Sequence, residues 1–98
     1  MKILAYLSIK GIVQGVGFRA FVESEAEARG LEGWVRNRRD GSVEAVVFGE
    51  KNAIESLAET CREGPPSSRV ASVEVSEADP AALSLRPAGK KFAMLPTA

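Results

Sequence analysis

The sequence feature that most limits the possible folds is the Asp40-Gly41 pair between two apolar, β-rich stretches. Glycine readily adopts the positive φ that a tight hairpin turn needs, so the pair predicts a hairpin that joins strands at residues 31–37 and 42–48. The two strands are then antiparallel neighbours. In a chain of 98 residues, such a hairpin leaves no room for a doubly wound parallel sheet.

The N-terminal third predicts a strand followed by a helix. Apolar residues alternate over residues 3–9, which is typical of a strand, and we expect the glycine-rich segment that starts at Gly11 to break it. From Phe18 the apolar residues recur at helical spacing, which predicts a helix that stops near Gly30.

A second helix is predicted from an apolar stripe at i, i+3, i+4 and i+7, formed by Ile54, Leu57, Ala58 and Cys61. Asn52 and Glu55 have the spacing of a capping box at its start, and the Gly-Pro-Pro of residues 64–66 ends it. Alternation over residues 69–76 predicts another strand, and residues 92–95 predict a short closing strand.

The order strand, helix, strand, strand, helix, strand predicts an α+β fold. We expect a ferredoxin-like βαββαβ sandwich, in which two helices pack on one face of an antiparallel sheet. The length suits one domain over residues 1–98.

Composition excludes several kinds of catalytic site. The chain has no histidine, which rules out Ser-His and Cys-His nucleophiles and His-ligated metals. The lone Cys61 cannot form an intrachain disulfide or a thiolate metal cluster. It lies on the apolar helix stripe and has Ser67, not arginine, six positions later, so we expect a small buried side chain and not a cysteine phosphatase. We expect neither a metal nor a cofactor.

The 13 basic and 13 acidic residues give a net charge of zero, which argues against a partner bound through bulk positive charge, such as nucleic acid. No apolar run is long enough for a signal peptide or a membrane span. We therefore expect a cytoplasmic monomer that binds neither nucleic acid nor a membrane.

The first candidate site is the segment from Gly11 to Arg19, where three glycines lie between a strand and a helix. Glycines let successive backbone N–H groups converge on an anion, and an arginine adds two charged donors. The alternative is a loop whose glycines only permit tight turns. The formal match to a dinucleotide fingerprint lacks the parallel sheet that such a site needs, and no Walker A string exists in the chain.

The second candidate segment covers residues 33–41. Its simplest interpretation is structural: Trp34 belongs to the core, Asn37 closes a strand by bonding local backbone, and the arginines at positions 36, 38 and 39 form a solvated turn.

Taken together, these two segments resemble the signatures of the acylphosphatase family. The first signature is matched by Ile9, Gly11, Val13, Gln14, Gly15, Val16, Phe18 and Arg19. The second is matched by Gly33, Trp34, Val35, Arg36, Asn37, Gly41, Val43 and Gly49. The resemblance covers residues 3–77. Residues 79–91 follow no family pattern, and Ala20 stands where members often have an aromatic residue.

The resemblance implies a metal-free hydrolase that splits acyl phosphates, its small-molecule substrates, into a carboxylate and inorganic phosphate. It implies that Arg19 and Asn37 are catalytic, Arg19 holding the phosphoryl group and Asn37 orienting the attacking water. The implied phosphate-binding loop consists of Gln14, Gly15, Val16, Gly17, Phe18 and Arg19.

Two alternatives remain at this stage. Ferredoxin-like sheets can bind RNA on their open face, but residues 17–22 resemble an RNA-recognition string in a loop and helix start and not on a central strand. The other alternative is an acylphosphatase-like domain serving a larger carbamoyl-transfer machine. Because the chain ends at Ala98, we expect the free-standing enzyme.

Overall fold

The computed structural model describes all 98 residues, from Met1 to Ala98. It contains five strands, two α-helices and a 3-10 helix of residues Pro80–Leu85. The strands are β1 (Lys2–Ile12), β2 (Glu32–Asn37), β3 (Val43–Glu50), β4 (Arg69–Glu77) and β5 (Phe92–Met94), and the helices are α1 (Phe18–Ala28) and α2 (Lys51–Glu63).

The strands form one sheet in the order β4-β1-β3-β2-β5. The β1–β3, β1–β4 and β2–β3 pairs are antiparallel, which confirms the ferredoxin-like βαββαβ fold. The short closing strand is also present, but it lies parallel to β2, so the five-stranded sheet is mixed. The hairpin between β2 and β3 forms as predicted, with Gly41 at φ 94°.

The main core lies between the sheet and the two α-helices. Eighteen buried residues form it. The predicted stripe of α2 is buried there, and burial raises the pKa of the Cys61 thiol to about 12. Cys61 is therefore the small buried side chain that the sequence predicted.

The opposite face of the sheet has its own smaller cluster, centred on Trp34, Val46 and Ala93. The indole N–H of Trp34 donates a hydrogen bond of 2.7 Å to the carbonyl oxygen of Ala82 in the 3-10 helix. Trp34 is buried as expected, but in this second cluster and not in the main core. Residues of the 3-10 helix thus cover part of this face.

The glycine-rich segment ends the first strand as predicted, but the strand ends at Ile12 and not at Gly11. Strand β1 continues to Ile12, and its register with β4 shifts between Lys10 and Gly11, as at a β-bulge. Gly11 adopts φ 129°, and a Cβ there would collide with the carbonyl oxygen of Arg69. The glycine is thus required by the bulge and by the close approach of β4.

The predicted capping box of α2 is wrong. The helix begins at Lys51, and Glu50 occupies the cap position without a side-chain capping bond. Asn52 therefore lies in the first helical turn.

Neither helix combines the length and the apolar character that crossing a membrane would require.

Candidate active site

The loop between β1 and α1 leaves a continuous set of backbone donors unused. Gly15 and Gly17 have φ of 74° and 81°, in the left-handed region that glycine tolerates best. No backbone N–H group of residues 15–20 donates a hydrogen bond within the protein. The first N–H groups of α1 lack helical partners by geometry, and the helix start adds partial positive charge. The segment is thus suited to an anion.

Arg19 is the second residue of α1. Its Nη1 lies 3.5 Å from the carbonyl oxygen of Leu95, a contact with the C-terminal segment. No carboxylate lies within ion-pair distance of the guanidinium, so its charge is not neutralised by another side chain.

Asn37 is the last residue of β2. Side chains alternate along a strand, so Asn37 shares the helix-side face with Val35 of the main core. Its carboxamide makes no hydrogen bond within the protein, whereas its backbone carbonyl accepts one of 3.0 Å from the N–H of Ala98. The structural interpretation, in which this carboxamide bonds local backbone, is therefore wrong.

Arg19 and Asn37 line the same cavity of about 190 Å³. The lining residues are Val13, Gly15, Gly17, Phe18, Arg19, Ala20, Asn37 and Met94. Pockets for drug-sized ligands measure roughly 300–1,000 Å³. The cavity is therefore of a size for a small ligand, and its polar groups are hydrogen-bond donors of the loop, a guanidinium and a carboxamide.

Two residues of the predicted phosphate-binding loop, Gln14 and Val16, do not line this cavity. Nε2 of Gln14 donates to the carbonyl oxygens of Arg38 and Ser42, at 2.7 and 2.8 Å. Val16 packs partly buried against the main core. Gln14 thus ties the glycine loop to the β2–β3 turn, so that the loop and Asn37 are held beside each other.

The β2–β3 turn is stabilised by its own side chains. The carboxylate of Asp40 accepts hydrogen bonds from the hydroxyl and the N–H of Ser42, at 2.6 and 2.9 Å, and these bonds hold its pKa below the usual value. The arginines are not simply a solvated turn, because Arg36 pairs with the buried carboxylate of Glu44.

The sequence did not predict the contribution of the C-terminal residues. Met94 lines the cavity, Leu95 contacts Arg19, and the N–H of Arg39 donates to the carbonyl oxygen of Ala98 at 2.9 Å. The only sequence signal was the apolar character of residues 92–95, which predicts a strand but not its neighbours.

Comparison with known proteins shows to which family the chain belongs. A model of the acylphosphatase family matches residues 5–91, so the expectation that residues 79–91 follow no family pattern is wrong. The chain belongs to the acylphosphatase family. An acylphosphatase of Bradyrhizobium diazoefficiens is 55% identical over 96 residues, which cover 98% of this chain and 97% of that protein. The crystal structure of acylphosphatase from Bacillus subtilis is 38% identical, covers 97% of this chain and 99% of its own, and superposes with a TM-score of 0.81.

Part of a longer protein is also similar to this chain. The crystal structure of full-length HypF in the phosphate- and nucleotide-bound form is 32% identical and superposes with a TM-score of 0.80. The match covers 99% of this chain but 12% of the HypF chain. The family, the fold and the enzyme class expected from the sequence are confirmed, and this chain is an acylphosphatase enzyme.

Proposed function

We propose that the cavity between Arg19 and Asn37 hydrolyses acyl phosphates by in-line attack of water on phosphorus. A bond forms between the water oxygen and phosphorus, and the bond from phosphorus to the carboxyl oxygen breaks. The products are a carboxylate and inorganic phosphate. The observation that carries the proposal is that an unneutralised guanidinium, unused loop N–H groups and an unbonded carboxamide line one small cavity.

The phosphoryl group is held by charge and by directed donors. The guanidinium of Arg19 can donate to two phosphoryl oxygens at once and keeps its charge at every physiological pH. The N–H groups from Gly15 onwards have no partner within the protein and supply further donors. Donors fixed in this way stabilise charge on the equatorial oxygens in the transition state.

The carboxamide of Asn37 orients the attacking water. An amide has both an acceptor oxygen and a donor nitrogen, so it can fix the position of a water molecule without taking its proton. We infer that a phosphoryl oxygen of the substrate accepts that proton. The role assigned to Asn37 is therefore positional, which lowers the barrier by holding water in line with the leaving group.

The leaving group explains why so few residue types suffice. A carboxylic acid has a pKa of about 4–5, so the carboxylate departs at neutral pH without a proton donor.

The lining offers no imidazole, thiol or carboxylate, the usual protein ligands of zinc and magnesium. We propose that the reaction needs no metal and no cofactor, and that the protein acts as a cytoplasmic monomer on small molecules.

The RNA-binding alternative receives no support from the sheet. The face opposite the α-helices, where ferredoxin-like domains bind RNA, is partly covered by residues of the 3-10 helix that pack on Trp34. The net charge of zero also argues against binding of nucleic acid through bulk positive charge.

Two substitutions test the roles of the proposed residues. Asn37→Ala should lower kcat roughly 10²-fold or more and leave inhibition by inorganic phosphate nearly unchanged, because the amide acts chiefly in the transition state. Arg19→Ala should weaken both turnover and phosphate inhibition. The measurement is hydrolysis of benzoyl phosphate in a buffer with EDTA and no added divalent cation, so that turnover itself reports whether a metal is needed.

Asn52→Ala is the matched control, because Asn52 is exposed on α2 and lies outside the cavity. Asn52→Ala should keep full activity toward benzoyl phosphate. The wild-type protein should not hydrolyse simple phosphate esters. Near-full activity of Asn37→Ala would contradict the water-positioning role, and loss of wild-type activity in EDTA would contradict a metal-free reaction.

A further inference from the structure

The proposed mechanism leaves one buried carboxylate without a function. Glu44 lies on β3, and only 7% of its side chain is exposed. It belongs to the face of the sheet opposite the α-helices, outside the cavity. A charged group is rarely buried at such a position unless it is paired, so its partners indicate what it does.

Three side chains surround the Glu44 carboxylate. The hydroxyl of Tyr6 donates to Oε1 at 2.6 Å, and Nε of Arg36 donates to Oε2 at 2.5 Å. Nε of Arg38 lies 3.8 Å from Oε1. Arg36 in turn lies over the ring of Trp34, 4.6 Å from its centroid. The carboxylate therefore joins β1 and β3 to the end of β2.

Arg36 and Arg38 are the two residues that flank Asn37 in the chain. Successive side chains of a strand point to opposite faces. Arg36 and Arg38 contact Glu44 on one face of the sheet. The side chain of Asn37, which lies between them in the chain, therefore points to the other face. Glu44 lies outside the cavity and contacts both arginines on the face away from it, and Arg38 also pairs with Asp40 at 3.3 Å.

We propose that Glu44 is a positioning residue for turnover, which acts through Arg36 and Arg38 on the orientation of the Asn37 carboxamide. This inference rests on the water-positioning role proposed above for Asn37. The glycine loop is tied through Gln14 to the backbone carbonyls of Arg38 and Ser42, and backbone N–H groups of the turn itself, those of Gly41 and Arg38, donate to the same carbonyls. Phosphate binding should therefore depend much less on Glu44 than turnover does.

Glu44→Gln is the direct test, because it keeps the shape and an acceptor for Tyr6 but removes the charge that pairs with the arginines. We expect kcat for benzoyl phosphate to fall roughly tenfold, since small displacements of positioned groups have large kinetic effects. The inhibition constant for inorganic phosphate should change less than about twofold. A purely structural role would not separate these two quantities.

Glu32→Gln is the matched control. Glu32 lies at the other end of the same strand and pairs with Arg86 at 2.9 Å, so this change also removes a carboxylate–arginine pair from β2. Its kcat should stay near the wild-type value. An equal loss of kcat in Glu32→Gln and Glu44→Gln would overturn the proposal.

The decisive measurement adds Glu44→Gln to Asn37→Ala, with residual turnover followed at high enzyme concentration. If Glu44 acts through Asn37, the double variant should have nearly the kcat of Asn37→Ala alone. A full additional tenfold loss would overturn the proposal. If Glu44→Gln is unfolded at the assay temperature, the test uses Tyr6→Phe in its place. We expect a smaller loss of kcat for Tyr6→Phe, and we expect this loss to disappear when Tyr6→Phe is combined with Asn37→Ala.

The outcomes separate the two proposals. If Asn37→Ala is inactive while Glu44→Gln and Tyr6→Phe keep full turnover, the inference about Glu44 is wrong and the proposed function stands. If Asn37→Ala keeps its activity, the water-positioning role is wrong, and the inference about Glu44 falls with it.

Discussion

The two faces of the sheet are stabilised in different ways. On the face covered by α1 and α2, eighteen buried apolar residues pack into one cluster. On the other face three residues form the buried apolar cluster, and beside it lie the carboxylate of Glu44 and the indole hydrogen bond of Trp34. The first face depends on the area buried from water, and the second depends on individual polar partners.

This difference explains how the site is built. Arg19 comes from the helical layer and Asn37 from the sheet, so the cavity lies where the apolar layer ends. The helix-side core holds the layers together, whereas the polar contacts of the second face orient a strand end. Substitutions on the first face should therefore act mainly on stability, and substitutions around Glu44 should act mainly on turnover.

The largest effect on stability is expected for Leu57→Ala on the helix-side face. Leu57 is completely buried, and its truncation removes packed apolar contacts and leaves a cavity. We expect a loss of about 2–5 kcal/mol in the free energy of unfolding. Urea denaturation followed by the fluorescence of the single tryptophan measures it.

Leu85→Ala on the 3-10 helix is the control for this change, since the side chain of Leu85 is about half exposed. Its free energy of unfolding should stay within about 0.5 kcal/mol of the wild-type value. Equal losses in the two variants would remove the distinction between the two faces.

An intermediate effect is expected for Trp34→Phe, which keeps an aromatic ring but removes the indole N–H. The carbonyl oxygen of Ala82 then loses its donor. We expect the free energy of unfolding to fall by at least about 1 kcal/mol, the usual net contribution of one hydrogen bond, because the smaller ring of phenylalanine also leaves part of the buried indole volume unfilled. Because this variant lacks tryptophan, its unfolding is followed by far-ultraviolet circular dichroism. An unchanged stability would mean that this bond does not hold the 3-10 helix on the sheet.

The smallest effect concerns Tyr6 at alkaline pH. Burial and the hydrogen bond to Glu44 raise the pKa of Tyr6 from 10.0 to about 12. Because the folded pKa lies above the unfolded one, the contribution of Tyr6 to stability is complete below pH 10 and is lost as the pH rises to about 12. The stability difference between wild type and Tyr6→Phe should shrink over this range. A constant difference would mean that folding does not raise the pKa of Tyr6.

The order of strands and helices could be predicted because apolar residues recur at a different spacing in a strand and in a helix. Alternation identified β1 and β4, helical spacing identified the buried stripe of α2, and Asp40-Gly41 identified the hairpin. The boundaries were less certain. The extent of β1 beyond Gly11 depends on pairing with β4, which is distant in the chain.

The candidate site could be predicted as far as its residue types. Arg19 and Asn37 match family signatures, and they line one cavity together with Gly15 and Gly17. The supports of these residues were not predicted. Gln14 bonds carbonyls 24 and 28 residues away, and Arg19 contacts a carbonyl 76 residues away. Backbone carbonyls occur at every position, so no residue type marks such partners.

The sequence by itself determined the elements, the hairpin and the side chains available for chemistry, because these depend on local spacing and residue type. Only the tertiary structure decided that the 3-10 helix covers part of the second face, that β5 lies parallel to β2, and that Glu44 contacts the arginines on either side of Asn37. Those arrangements depend on contacts between segments that are distant in the sequence. The spacing of apolar residues predicts which side of a segment is buried, but it does not predict which other segment packs against that side.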